Sequence, residues 1–537
     1  MPPPQKNTLL FGARVTGLGT LLSRILGMLR DIATAALLGL SAGGVMDAFA
    51  LAIRIPNLFR RLFAEGALAA SYLPVLTARF EEGPDSAWKL VSVVMTWLAV
   101  ALAAIVLLIE SIFGAIWLIW GDIPSVSLLL GLAAVMLPYM FFICLAAQFA
   151  ATLHVLSHFS TPALTPTLLN IVWLLGAWCV APYFSGNVVA QAYVLAVCVV
   201  IAGILQLMIQ GAVLRSFGFR YHYDWASSRT AVFEILRAMG VMVFGLAVTQ
   251  VNTLMDSLIA WGLAAAPGGP QTVAWLPGHP AYPMRQGAAA AVYFGERLYQ
   301  FPLGIVGLAV ATAIFPLLSR HAARGDRESL GRDVSLGLRL VLFLAIPAGV
   351  GLVYLADPLA ELLFQRGRFD AEDTRRAAGM IAAYGWGVWA YCTMPVIIRA
   401  FYSLGDRSTP VRVGACVVGL NFTLNLLLVW FVAEQGLAFA TSISATVQSL
   451  LLILLFSRRG WMIEYASIGG TIIRAVLGSA LMWFAGNYVL EQLAHEPTLT
   501  SRFLRVTLPI VASAAVYLGV FGIARGPELS WVLRGKS

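Results

Sequence analysis

Residues 44–80 read GVMDAFALAIRIPNLFRRLFAEGALAASYLPVLTARF. The run is mostly apolar and longer than the roughly 20 residues a helix needs to cross a bilayer. Yet Asp47, Arg54, Arg60, Arg61 and Glu65 interrupt it. Asp47, Arg54 and Arg61 recur with heptad spacing and Glu65 follows Arg61 by one turn, so in a helix these charges share one face. The rest of the chain decides what solvent that helix meets. Of 537 residues, 60% are hydrophobic and 11% charged, where a soluble domain carries about a quarter charged residues. The solvent is therefore lipid, and the fold class expected is an all-α polytopic membrane protein.

Working outward, comparable runs recur from Thr8 to Arg525. The expected helices are 8–38, 44–80, 89–117, 127–156, 162–183, 188–216, 231–263 and 286–321, followed by 331–356, 377–404, 409–432, 435–457, 467–491 and 500–525. That is about fourteen transmembrane helices, with no stretch left for a separate soluble catalytic domain. The N-terminal apolar run carries Arg14 and Arg24 and lacks a small-residue cleavage site, so it is expected to be a retained first helix. The five cysteines fall inside expected spans with no disulfide or metal spacing, and are expected to be small packing residues.

One set of loops holds Arg79, Lys89, Arg215, Arg220, Arg229, Arg320, Arg324, Arg327, Arg332, Arg407, Arg412, Arg458 and Arg459, while the opposite set is poor in Lys and Arg apart from Arg285 and the group Arg366, Arg368, Arg375 and Arg376. Positive loops stay inside, so both termini are expected to be cytoplasmic. The net charge of +9 then reports topology; nucleic-acid binding would need a basic soluble surface, which the chain lacks.

An internal repeat is legible. HVLSHFSTP before the fifth helix is echoed by YSLGDRSTP before the eleventh, and SYLPVLTAR by AIFPLLSRH, so that Pro74 answers Pro316. QLMIQGAVLRSFG is echoed by QSLLLILLFSRRG. The expected organisation is an N-lobe over 1–228, a C-lobe over 229–462, and two extra helices over 463–537. An even number of helices per repeat gives a parallel pseudo-two-fold axis, with substrate expected between the lobes and rocking-type alternating access.

Charge within lipid is costly, about 2.5 to 3.5 kcal/mol per group even on the lenient insertion scale. Arg24, Arg30, Arg54, Arg60, Arg61 and Arg297 are six cations set against the four anions Asp31, Asp47, Glu65 and Glu296, with Asn57 a turn or less from Arg54, Arg60 and Arg61. Pairing among themselves would pin helices together, but it does not exhaust the excess. Guanidinium forks fit phosphate oxygens, so the excess points to an anionic, phosphorylated ligand. Pro56 and Gly66 offer bending points beside this patch.

Asp256 with Asn421 and Asn425 is a candidate site for a coupling monovalent cation; a hydrogen-bonded structural acid is the alternative. His154 and His158 have metal-like spacing without an acidic companion and read as interfacial. Tyr221, Tyr223 and Trp225 read as an aromatic belt, Asp370 as a helix N-cap, and 264–286 as an irregular outer loop. No GxxxxGK loop is present, so ATP-driven pumping by this chain is not expected. No cofactor or resident metal is expected.

The runs SRILGMLRDIATAALLG, MDAFALAIRIPNLFRRLFAEGALAASYLPVLTARF, ERLYQFPLGIVGLAVATAIFPLLSR, LFQRGRFDAEDT and FYSLGDRSTPV resemble the MurJ (MviN) family of lipid II flippases in the MOP exporter superfamily. The resemblance covers nearly the whole chain. It implies a transporter, not an enzyme, that moves the undecaprenyl-pyrophosphate-linked peptidoglycan precursor across the bacterial cytoplasmic (inner) membrane during cell-wall biogenesis. It implies pyrophosphate binding by Arg24, Arg30, Arg60 and Arg297, acidic partners at Asp31 and Asp47, and a groove for the polyprenyl tail on the last two helices. The membrane potential or a cation gradient would reset the cycle, and cell-wall synthesis proteins are candidate partners. The chain departs from the family pattern at Glu296, where aspartate is expected, and in the length of the 264–286 loop. The rival readings are a flippase for another polyprenyl-linked glycan, a cation-coupled small-molecule exporter, and a non-transporting cell-wall scaffold.

Overall fold

The computed structural model describes residues 6–266, 268–274, 276–494 and 496–534, with the side chains of 6–14, 64–70, 241–246, 248–249 and 532–534 outside that description. Lipid offers no partner to a backbone N–H or C=O, so long apolar runs close their hydrogen bonds internally as helix. Among the described residues, eleven helical stretches are long and apolar enough to cross a membrane, and one further pair bent by 44° makes twelve. The first and ninth helices, of 33 and 38 residues, are also long enough to span and lie outside that count. By length and composition together, the described residues support eleven to twelve spans, against about fourteen expected.

Contacts divide the chain into two units, Met1–Leu254 and Met255–Ser537. The first holds α1 (Lys6–Leu38), α2 (Val45–Phe59), α3 (Leu68–Glu82), α4 (Pro84–Trp120), α5 (Pro124–Met136), α6 (Pro138–Val155), α7 (Ser160–Leu175), α8 (Val188–Ser216) and most of α9 (Trp225–Gly262). Gly43 and Gly44, at φ 60° and 70°, make the turn from α1 into α2 in a left-handed conformation that a Cβ would strain. Helix α1 packs on α7, and α6 on α8. Tyr72, Leu76, Leu90, Val91 and Leu214 form a fully buried core.

The second unit contains β1 (Ala264–Ala265), β2 (Met284–Arg285), α10 (Ala288–Pro302), α11 (Leu308–Arg324), α12 (Arg327–Tyr354), α13 (Ala356–Phe364), α14 (Ala371–Gly385), α15 (Val388–Ser403), α16 (Ser408–Val432), α17 (Gln435–Arg458), α18 (Tyr465–Gln492), α19 (Leu499–Ile523) and α20 (Pro527–Arg534). Helices α16 and α17 pack along each other, as do α18 and α19, and α18 lies against α12. Asp370 caps α14 by accepting from Asp373 N at 2.8 Å, as expected from its sequence context.

Several expectations needed correction. Helix 44–80 does not simply kink at Pro56: α2 runs through the proline and passes into a π-helical stretch, Arg60–Ala67, before α3 begins. The proline removes one helical donor, and the wider turn starts just after it. Two further π stretches occur among the described residues: Gly176–Val180 follows α7, and Leu303–Gly307 joins α10 to α11. Arg60–Ala67 and Leu303–Gly307 each lie ahead of one of the echoed prolines, Pro74 and Pro316. The span 127–156 holds as one stretch, Pro124–Val155, with Leu137 helical between α5 and α6, whereas 377–404 bends by 44° between α14 and α15. Helices α13 and α20 were not expected, because segments of nine and eight residues fall below any spanning criterion. The 264–286 loop is less irregular than expected: β1 pairs with β2, and Arg376 of α14 donates to the carbonyls of Gln286 at 2.7 Å and Arg285 at 3.2 Å. Cys144, Cys198 and Cys392 are buried packing residues as expected, but Cys179 and Cys416 are exposed.

Candidate functional site

In the first unit the most organised cation is Arg30. Its Nε and Nη2 both donate to Asp31 Oδ1, at 3.1 and 2.9 Å, and its Nη1 donates to Asn170 Oδ1 on α7 at 3.2 Å. The guanidinium sits over the Trp173 ring, 4.8 Å from its centroid. Trp173 is held in turn by its Nε1 donating to Thr34 Oγ1 at 3.0 Å and by an edge contact with Phe49. Asn170 is held by donating to Ser23 O at 3.0 Å. Asp31 is 3% exposed. The result is a cation locked in one orientation by a carboxylate, an amide and an aromatic face, so little side-chain entropy remains to lose when an anion binds.

Arg24, on the same helix, is exposed and makes no hydrogen bond or ion pair among the described residues. Asp47 is buried in the first turn of α2, where a carboxylate is favoured by the helix N-terminus. Arg60 donates from Nε to Asn57 Oδ1 at 3.3 Å, so the expected neighbourhood of these two is real. Arg54 donates to Thr253 O and Arg61 to Gln250 Oε1, each at 3.3 Å, and both acceptors lie on α9. Arg60 and Arg61 open the π stretch; the Glu65 side chain lies outside the described residues. Of these three arginines, Arg54 and Arg61 reach α9, and Arg60 bonds to Asn57 one turn back.

In the second unit, Glu296 and Arg297 are half-buried on α10, and the Arg297 guanidinium lies 4.4 Å from the Tyr293 ring centroid, one turn back. Farther along the chain, α9, α16 and α17 bring four polar side chains together. Asn425 Nδ2 donates to Asp256 Oδ1 at 2.6 Å and to Asn421 Oδ1 at 3.0 Å. Thr441 Oγ1 donates to Asp256 Oδ2 at 3.3 Å, and Asn421 Nδ2 to Thr441 Oγ1 at 3.4 Å. Asp256 is 2% exposed and Asn425 fully buried. The carboxylate thus accepts from an amide and a hydroxyl, and the four side chains close one hydrogen-bonded network around the acid.

Sequence reasoning missed Asn170, Trp173 and Thr441. Asn170 carried a usable signal, a polar side chain inside the apolar run PTLLNIVWLL; Trp173 and Thr441 carried none, since hydroxyls and aromatics are ordinary in such helices. His154 and His158 are each engaged separately, His154 against Phe159 and His158 with Thr161 Oγ1 at 2.8 Å. Tyr221 and Trp225 dock on α4, through Thr96 and Trp97 respectively. Beside them, the Lys89 ammonium donates to Asp224 at 3.0 Å and holds that carboxyl down at about 2.

Fold and site together define an all-α integral membrane protein of the transporter type, with oriented arginines in one unit and a buried carboxylate ring in the other. The family model described as "Lipid II flippase MurJ" matches residues 34–508, and the chain belongs to that family. The "Probable lipid II flippase MurJ" of Vibrio cholerae is 33% identical, the alignment covering 86% of this chain and 87% of that one. A solved structure of "Lipid II flippase MurJ, inward closed conformation" superposes with TM-score 0.75 at 23% identity, covering 95% of this chain and 98% of that one. An inward-facing multidrug resistance MATE family transporter of the MOP superfamily shares the fold at TM-score 0.60 and 13% identity, over 84% of this chain and 95% of that one.

Proposed function

We propose that this chain is a lipid II flippase, carrying the undecaprenyl-pyrophosphate-linked precursor from the cytoplasmic to the outer leaflet of a bacterial inner membrane by alternating access. The observation that carries the reading, beside family membership, is the Arg30 clamp. A transporter of cationic drugs would not fix a guanidinium in lipid with donors and an aromatic face behind it, whereas a diphosphate needs such a preoriented cation. Arg24, Arg30 and Arg60 supply the anion-binding groups of the first unit, and Arg297 supplies that of the second. Asp31, Asp47, Arg54, Asn57, Arg61, Glu65 and Glu296 set their orientation and the local charge balance. The polyprenyl tail stays in lipid, along α18 and α19.

Resetting an empty carrier requires an energy source. Asp256, Asn421 and Asn425, joined by Thr441, are proposed to bind a coupling monovalent cation, and the membrane potential would act on the same charge. Both termini face the cytoplasm on this reading, in keeping with the arginine-rich loops. Membrane lipids are the surrounding partners, and cell-wall synthesis proteins are proposed as further ones.

The decisive experiment is depletion of the protein in its own bacterium, followed by measurement of lipid II exposed on the outer face. Accumulation on the cytoplasmic face is expected, and rescue by the wild-type chain but not by Arg30→Ala. Normal exposure after depletion, with no paralogue present, overturns the proposal. Accumulation of a different polyprenyl-linked glycan instead would reassign the substrate and keep the transport class.

A further inference from the structure

Helix α4 carries an acidic side chain that neither the fold nor the proposed transport cycle uses. It spans Pro84–Trp120, 37 residues, and its own side chains mark where the membrane begins and ends. At one end Lys89 pairs with Asp224, and Ser92 Oγ accepts from His222 N, so this part meets a polar loop. Trp97 follows, half exposed beside Trp225; Trp117 and Trp120 are half exposed at the other end. Tryptophan favours the membrane interface. From Trp97 to Trp117 the helix rises about 30 Å, the thickness of the hydrocarbon core.

Glu110 lies inside that interval, about 10 Å along the axis from Trp117 at 1.5 Å per residue. It is half-buried and makes no hydrogen bond or ion pair among the described residues. The packed face of α4 is elsewhere: Leu102, Ile105 and Val106 pack in the cluster built around Met140 and Cys144. Beside Glu110, the positions Leu107, Ser111 and Gly114 are exposed, and a Cβ added to Gly114 would meet nothing within 4 Å. The face therefore combines a carboxyl at hydrocarbon depth with small residues that allow another helix backbone to come close. A lone carboxyl there is unfavourable unless something outside the chain supplies a donor.

We propose that this face of α4 is a lateral docking surface for a transmembrane helix of another membrane protein, one that presents an arginine or lysine at the depth of Glu110. Charge complementarity selects that occupant over a second copy. The same face of a copy offers no cation, and its one hydroxyl, Ser111 Oγ, already donates to Leu107 O at 2.7 Å. Lys89 lies at the far end of the helix and is paired with Asp224. The surface does not depend on which substrate the protein carries.

The test uses the full-length protein in lipid nanodiscs and two labelled leucine-based transmembrane peptides, one with a single arginine at matching depth and one without. Energy transfer should report at least tenfold tighter association of the arginine peptide with wild-type protein. That preference should vanish in Glu110→Leu and in the nearly isosteric Glu110→Gln, which keeps the result readable if the leucine variant inserts poorly. Equal association of both peptides, or a preference unchanged in both variants, overturns the proposal. So does energy transfer between two differently labelled copies that disappears in the same variants, because a second copy would then be the occupant.

Discussion

The two units solve opposite electrostatic problems in the same solvent. In the first, Arg30 is a cation braced by Asp31, Asn170 and Trp173; in the second, Asp256 is an anion braced by Asn425 and Thr441, which are neutral. A guanidinium carries five N–H donors in a planar fork, and on the proposed reading this pole takes an anion. A carboxylate that accepts from an amide and a hydroxyl is held in place by neutral donors, and on the proposed reading this pole takes a cation. Each unit carries a π-helical stretch ahead of a proline, at Arg60–Ala67 and Leu303–Gly307, while the buried charge each one braces differs in sign.

Breaking the first half of the comparison should have the largest effect. Arg30→Ala removes the braced cation and its ion pair with Asp31, a kind of loss that costs roughly 3 to 5 kcal/mol where both partners are desolvated. Outward lipid II exposure in a depletion strain should fall to background. Arg30→Lys, which keeps charge but loses the fork, should give partial rescue with normal protein levels. Full activity of both variants breaks the assignment of this unit to anion binding.

The second half is tested by Asp256→Asn, which is nearly isosteric and keeps one of the two accepting oxygens but cannot supply the negative charge. Transport in proteoliposomes should drop, by roughly 5- to 150-fold if coupling energies are of the usual size, and its dependence on an imposed cation gradient should disappear. Retained gradient dependence would make Asp256 a structural acid. A smaller effect is expected from Tyr293→Leu, which takes away the ring behind Arg297. Cation–π contacts contribute about 0.5 to 2 kcal/mol, so apparent affinity for a diphosphate headgroup should weaken by a few fold to some thirtyfold, while Arg30-dependent binding persists.

The smallest effect belongs to a control outside both clusters. Lys89 holds the Asp224 carboxyl at about 2, below its usual range. A depressed carboxyl stabilises above its unfolded pKa of about 4 and loses that contribution as pH falls toward 2. Docking of the 219–225 loop on α4, followed by tryptophan fluorescence, should weaken over that window in the wild type and be flat there in Asp224→Asn.

Some of this was legible along the chain. Periodicity placed the charges of 44–80 on one face, and helical neighbours such as Asn57 with Arg60 or Asn421 with Asn425 were correctly paired by spacing alone. The π stretch was not legible, because a proline signals that a helix must yield but not whether it kinks or widens. Helices α13 and α20 were missed because a spanning criterion is blind to short segments, and Cys179 and Cys416 because position within a helix does not reveal which side faces outward.

The sequence by itself determined that this chain lives in lipid, that it is helical throughout its long apolar runs, and that its intramembrane charge is net positive. Those properties are sums over residues or over a few turns of helix, and local chemistry dictates them. The tertiary structure alone decided that Arg30 meets Asn170 and Trp173, and that Asp256 meets Thr441, partners separated by more than a hundred residues. Such contacts depend on how helices pack face to face, and no local pattern encodes which distant side chain will arrive at a given depth.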